Sequence, residues 1–95
     1  QVVGTMRLIL EKKNKEMYIG RLAILKEYRG KNIGSRLLDY AEKQAFNTGY
    51  QTLSLSAQVN AKEFYKNNGY IPYGEIFLDA NIEHIRMLKK IPAKD

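Results

Sequence analysis

The sequence predicts a single α/β domain over residues 1–95, with a mixed sheet and the element order ββαβαββ. Three observations carry this. An apolar run, Tyr18 to Leu25, leads through a short glycine-bearing turn into a helix whose Leu37, Leu38, Ala41 and Ala45 share one face. An alternating strand, Gln51 to Ala57, follows that helix directly, and strand–helix–strand with such short connections implies a parallel crossover. Two further strand-like segments close the order, and no repeat, linker or low-complexity tract interrupts it. At 95 residues and 44% hydrophobic composition, the chain has material for one small core.

Each element has a local reason. Val2 to Leu10 reads as a strand weakened at Gly4; Glu11 to Glu16 is a charged turn about Asn14; Met17 to Leu25 returns, giving a hairpin. The first helix, from about Ile33 to Thr48, ends at Gly49, which suits the left-handed position that closes helices. In the next strand Leu53, Leu55 and Ala57 fall on one face, and Thr52, Ser54 and Ser56 on the other. A shorter helix, about Val59 to Asn68, is closed by Gly69. Tyr70 to Leu78 and Ile82 to Ile91 read as strands about the turn Asp79-Ala80-Asn81, and Pro72 puts a break or an edge near the start of the first. Phe64 is expected in the core, and Tyr18, Tyr28, Tyr40, Tyr50, Tyr70 and Tyr73 at its edges.

Function is most legible in Glu27-Tyr28-Arg29-Gly30-Lys31-Asn32-Ile33-Gly34-Ser35. A glycine-bearing turn at a helix start leaves backbone N–H groups unpaired and aimed at one spot, and the helix dipole adds partial positive charge. Such a turn can hold a phosphate, and Lys26, Arg29, Lys31 and Arg36 set cations around it. It is neither a Walker loop nor a dinucleotide fingerprint. The net charge of +6 attracts polyanions in general, but its concentration at this turn favours a phosphorylated small molecule over nucleic acid. No RNA-recognition signature is present. With no cysteine, disulfides, thiolate metal sites and a cysteine nucleophile are excluded, and one histidine makes a histidine-built metal site unexpected. No apolar stretch approaches the ~20 residues of a membrane span. Without a signal-peptide pattern either, a cytoplasmic location is the expectation.

Arg29-x-x-Asn32-x-Gly34 resembles the Arg/Gln-x-x-Gly-x-Gly/Ala signature of the GNAT superfamily of acyl-CoA N-acyltransferases, where this turn grips the coenzyme A pyrophosphate. Asn32 replaces a family glycine, and asparagine tolerates positive φ better than most residues that carry a Cβ. The segment Gln58-Val59-Asn60-Ala61-Lys62-Glu63-Phe64-Tyr65, ending at Gly69-Tyr70, resembles the family's Asn-x-x-Ala-x-x-Leu-Tyr-x-x-x-Gly-Phe helix. The Ala57-Gln58 form, with Gly74-Glu75-x-Phe77 and Ile82-x-His84-x-x-Met87 beyond it, is similar to the ElaA/YjcF-like subgroup. Where that subgroup's tail commonly reads Glu-Ala-Gly-Ile-Pro-His, this chain has Asp79-Ala80-Asn81-Ile82-Glu83-His84.

The resemblance implies a GNAT acyl-CoA N-acyltransferase core, with acetyl-CoA as co-substrate and direct transfer of the acetyl group to an amine. Carried over by position, Arg29, Gly30, Lys31, Asn32, Ile33, Gly34 and Ser35 would hold the pyrophosphate, and Gln58 would join the cofactor-binding set. The pantetheine arm would lie where Arg21 to Leu25 and Leu53 to Ala57 splay apart, pairing with the backbone of Leu22, Ala23 and Ile24. An N–H near a bulge there would polarise the thioester carbonyl. Tyr65 would be the acid for the departing thiolate, since a phenol of pKa ~10 stays protonated at neutral pH. For the base, His84 has the suitable titration range, with Glu75, Glu83 or water as alternatives and Glu16 too near the turn. Two other readings remain open at this point, a non-catalytic acyl-CoA-binding module and a basic nucleic-acid-binding domain. Family domains begin with a strand, two helices and a further strand, which this sequence is expected to lack. Its Val2, Val3, Met6, Leu8 and Leu10 would then form an edge seeking a second copy or an N-terminal partner segment.

Overall fold

The computed structural model describes residues 4–24 and 32–93. The elements are β1 (Gly4–Glu11), β2 (Glu16–Ile24), α1 (Ile33–Thr48), β3 (Thr52–Gln58), a 3-10 turn (Val59–Ala61) leading into α2 (Lys62–Asn67), β4 (Ile71–Asp79) and β5 (Ile82–Lys90). The strands form one sheet in the order β1-β2-β3-β5-β4. Every pair is antiparallel except β2–β3, so the expected hairpin and parallel crossover are both present.

Two turns are tighter than the sequence suggested. The first spans only residues 12–15, with the Asn14 N–H donating to the Glu11 carboxylate at 2.6 Å and Lys15, not Asn14, in the left-handed region. The second shrinks to Ala80 and Asn81, at φ 54° and 63°. Two successive left-handed residues suit the twist of a two-residue hairpin, so Asp79 belongs to β4 rather than to the turn. Pro72 sits on β4, an edge strand among the described residues, where a missing N–H costs no ladder bond on the open side. The ladder is irregular between Tyr73 and Phe77, where Gly74 has φ 78°.

One face of the sheet carries the core. Met17, Ile19, Leu53, Leu55, Ala57 and Met87 meet Leu38, Ala41 and Ala45 of α1, and Tyr50, Tyr70 and Ile91 close the cluster. The two small alanines let the helix axis approach the strands. Tyr50 and Tyr70 are therefore core residues, contrary to the edge position expected of them. Phe64 is the converse correction: on the short α2 it turns outward, while Tyr65 faces the sheet and takes the Phe64 ring edge-on at 5.0 Å. Met6 and Leu8 pack against the core, while Ile9 and Leu10 stay about half exposed. Only part of the expected adhesive edge is thus open; Val2 and Val3 lie outside the described residues.

Lys89 ties the layers together. Its ammonium meets Glu42 of α1 at 2.9 Å, donates to the Asn68 carbonyl at 2.9 Å beyond α2, and lies 5.8 Å from the Tyr70 ring centroid. The Tyr70 hydroxyl is buried with no hydrogen-bond partner among the described residues. Burial, and then the charges of Glu42, Tyr65 and Asp39, push its phenol well above the ordinary value of 10.0. The unfolded chain therefore loses this proton near pH ~10 while the folded chain keeps it, so stability falls as pH rises above ~10 and is unaffected below. We expect Tyr70→Phe to remove an unpaid desolvation cost of about 1 kcal/mol and to flatten that alkaline decline. Urea denaturation of both proteins at neutral pH and at pH ~10.5 checks it; a steeper alkaline loss in the variant would contradict the assignment.

Candidate functional site

The site begins where a ladder ends. β2 and β3 pair from Glu16–Thr52 to Ile19–Leu55 and no further. β2 runs on beside β1, with Ala23 opposite Thr5 and Ile24 opposite Gly4, while β3 runs on beside β5, with Gln58 opposite His84. Between Gly20 and Ala23, β2 holds one residue more than β1 spends between Arg7 and Thr5. Such a bulge bends its strand, and here it lies just past the last β2–β3 pair. The result is a fork whose inner backbone groups have lost their sheet partners and can pair with something inserted. The expected bulge is present. The splay starts at Gly20 and Ser56, however, so Leu53 and Leu55, expected in the open part, are still paired with β2 and buried.

A cleft of about 420 Å³ occupies the fork. Leu22 lines it from β2, Gln58 from the end of β3, Tyr65 from α2 and His84 from β5. Four residues to which the family resemblance gives different roles therefore share one cavity. Three further polar residues of the lining had no assigned role. Tyr18 and Ser56 stand on the sheet face opposite the core, and the Tyr18 hydroxyl donates to Ser56 Oγ at 3.1 Å across the base of the fork. Alternation of the two strands was the signal for both. Asp79 also lines the cleft, and was hidden by its assignment to a turn.

Two side chains are chemically specific. Burial raises the Tyr65 phenol above its ordinary value, so it is a proton donor over the whole neutral range. His84 Nδ1 lies 2.8 Å from the Ile82 carbonyl. A carbonyl can only accept, so in the neutral ring Nδ1 carries the proton and Nε2 keeps its lone pair. The ring also stacks on Phe77 at 5.9 Å and 29°, which fixes its plane. The rival carboxylates are elsewhere: Glu75 and Glu83 are exposed, and Glu16 accepts the Ser54 hydroxyl at 2.5 Å.

Only the far side of the phosphate turn is described; Arg29, Gly30 and Lys31 lie outside the described residues. Asn32 holds φ 60° and ψ 18°, the left-handed conformation anticipated for it, and its carbonyl accepts the Arg36 N–H at 3.0 Å. Its side chain makes no capping bond, so the first N–H groups of α1 have no side-chain acceptor from it. Ile33 opens the helix, Gly34 is buried and Ser35 half-buried. Ala23 and Ile24 continue β2 on the outer arm of the fork. Among the described residues no group of His, Cys, Asp and Glu is arranged to hold a metal, and no helix is long and apolar enough to cross a membrane.

The model of the acetyltransferase (GNAT) domain matches residues 1–91. The chain belongs to the GNAT acetyltransferase family. An uncharacterized N-acetyltransferase of Bacillus subtilis, YjcF, is 39% identical over 70 residues, covering 73% of this chain and 50% of its own length. The crystal structure of Escherichia coli ElaA superposes with a TM-score of 0.83 at 24% identity, over 94% of this chain and 61% of its own. An aminoglycoside 6'-N-acetyltransferase solved with coenzyme A superposes over 100% of this chain and 70% of its own, with a TM-score of 0.84 at 23% identity. The chain spans about half the length of the curated relatives it matches. The fold is the GNAT fold, and the ElaA/YjcF likeness holds in sequence and in structure.

Asn32 gives a direct check on the turn. A β-branched side chain in the left-handed region costs about 1–2 kcal/mol, and glycine there costs no such strain. We expect Asn32→Val to lower stability by about that amount and Asn32→Gly to be tolerated, read as shifts in urea midpoint. Equal stability of the two variants would mean that Asn32 does not hold this conformation.

Proposed function

We propose that this GNAT chain binds acetyl-CoA in the fork and takes part in direct transfer of the acetyl group to an amine. The observation that carries the reading is the fork itself: a cleft with unpaired strand edges, a protonated phenol and a lone-pair imidazole on its lining. The fit is chemical. Pantetheine is an extended chain with amide groups, and exposed strand edges pair with such chains as with another strand. Acetyl-CoA supplies an activated acyl group as a thioester.

The remaining chemistry falls to the chain's own residues. An N–H of the β2 bulge, between Gly20 and Ala23, polarises the carbonyl as negative charge develops on its oxygen. His84 Nε2, directly or through a water, accepts the proton that the attacking amine loses. Tyr65 donates its proton to the departing sulfur, and burial keeps the phenol protonated until that step. Arg29 to Ser35, together with Gln58, would form the cofactor-holding set. The basic surround of the turn and the net charge of +6 support a polyanionic cofactor.

Two measurements test this. Gly34→Val puts a branched side chain on a buried residue of the first helical turn, and coenzyme A affinity measured by calorimetry should fall at least about tenfold. Unchanged affinity would refute the pyrophosphate assignment. Tyr65→Phe should leave that affinity intact while lowering turnover at saturating acetyl-CoA by ~100-fold or more. Wild-type turnover in this variant would reduce Tyr65 to packing.

A further inference from the structure

Asp79 is the one acidic side chain lining the cleft among the described residues, and no described lysine or arginine lines it. The rest of the described polar lining carries hydroxyl and amide groups, at Tyr18, Ser56, Gln58 and Tyr65, and the His84 imidazole. The Asp79 carboxylate is exposed at the cleft and has no ion pair or hydrogen bond with any described residue. That contrasts with Glu16 and Glu42, which the fold engages through Ser54 and Lys89. A carboxylate left free at a cleft in a chain of net charge +6 is available for a cation from outside.

Register adds a distance. Phe77 is opposite His84 and Asp79 is opposite Ile82, so Asp79 and His84 are diagonal neighbours on one face. Such pairs are roughly 7–8 Å apart. A molecule whose reacting amine meets His84 Nε2 can therefore reach Asp79 with a second ammonium group across a short alkyl spacer.

We propose that Asp79 is a specificity residue that anchors a second positive charge, and that the acceptor is a short aliphatic diamine or polyamine rather than a monoamine. This rests on the acetyl-transfer reading above and names its substrate class. The cation does not react; its bond to Asp79 is a charge-assisted hydrogen bond that orients the other end.

The test is titration of the protein, with coenzyme A present, by putrescine and by n-butylamine, which differ by one ammonium group. Putrescine should bind at least about tenfold more tightly, the usual scale of a charge-assisted contact. In Asp79→Asn the ratio of the two affinities should fall to near one, and in Asp79→Glu part of it should return. Coenzyme A affinity, measured in each variant, reports that the fold is intact. Equal affinity for the two amines in the wild type, binding of neither, or a ratio unchanged in Asp79→Asn would each overturn the proposal. If the ratio behaves as expected and acetyl-CoA still gives no acetylated putrescine, Asp79 stands as a diamine site and the transfer reading fails.

Discussion

A parallel strand pair has no reason to stop hydrogen bonding unless something pulls the strands apart, because each abandoned backbone group must find another partner. In this chain the separation follows from competing partners. Beyond Ile19, β2 stays with β1 through a bulge, and beyond Leu55, β3 stays with β5 in unbroken register to Gln58 and His84. The buried side chains on both sides of the branch point, Ile19, Leu55 and Met87, hold the closed end shut. The open end is then a consequence of packing rather than of flexibility. A ligand entering it meets edges already arranged for an extended chain, so little ordering cost falls on the protein.

The fork also explains why the site draws on four strands and on α2. Because it passes between strands, it opens toward both faces of the sheet. The helix-bearing face contributes Tyr65, held by its ring contacts to Phe64 and to Tyr70 at 6.2 Å. The opposite face contributes Tyr18, Ser56 and His84, held by the Tyr18–Ser56 bond and by the Ile82 carbonyl. A donor phenol and an acceptor imidazole thus reach one cavity from different sides, as a reaction needs when one group gives a proton and another takes one. The Lys89 contacts to Glu42 and to the Asn68 carbonyl bear on the same geometry, since they fix the end of α2 on which Tyr65 sits.

Much of this was legible from residue order. Alternation in Gln51 to Ala57 separated the core face from the face bearing Ser56, and the left-handed Asn32 followed from asparagine standing at a glycine position. Tyr65 and Gln58 were found through motif spacing, and the structure brings both to the cleft. Which of the adjacent Phe64 and Tyr65 faces the sheet depends on the phase of a helix only six residues long, and the burial of Tyr50 and Tyr70, each just past a helix end, depends on what the tertiary fold packs there. Asp79 was read as a turn residue because a local pattern cannot tell a two-residue hairpin from a three-residue one when the strand ends in a turn former. The point where β2 and β3 part depends on long-range pairing, and no local signal marks Ile19 and Leu55 as the last pair.

The charge distribution closes the account. A net charge of +6 favours approach of a polyanion from any direction, yet at physiological salt that field fades within about 8–10 Å. Inside the fork, local groups therefore decide what binds. Among the described residues the cleft lining carries one carboxylate, Asp79 at the end of β4, and no lysine or arginine. An acceptor bearing ammonium groups, as proposed above, would therefore meet attraction at Asp79 and no repelling lysine or arginine among the described lining residues.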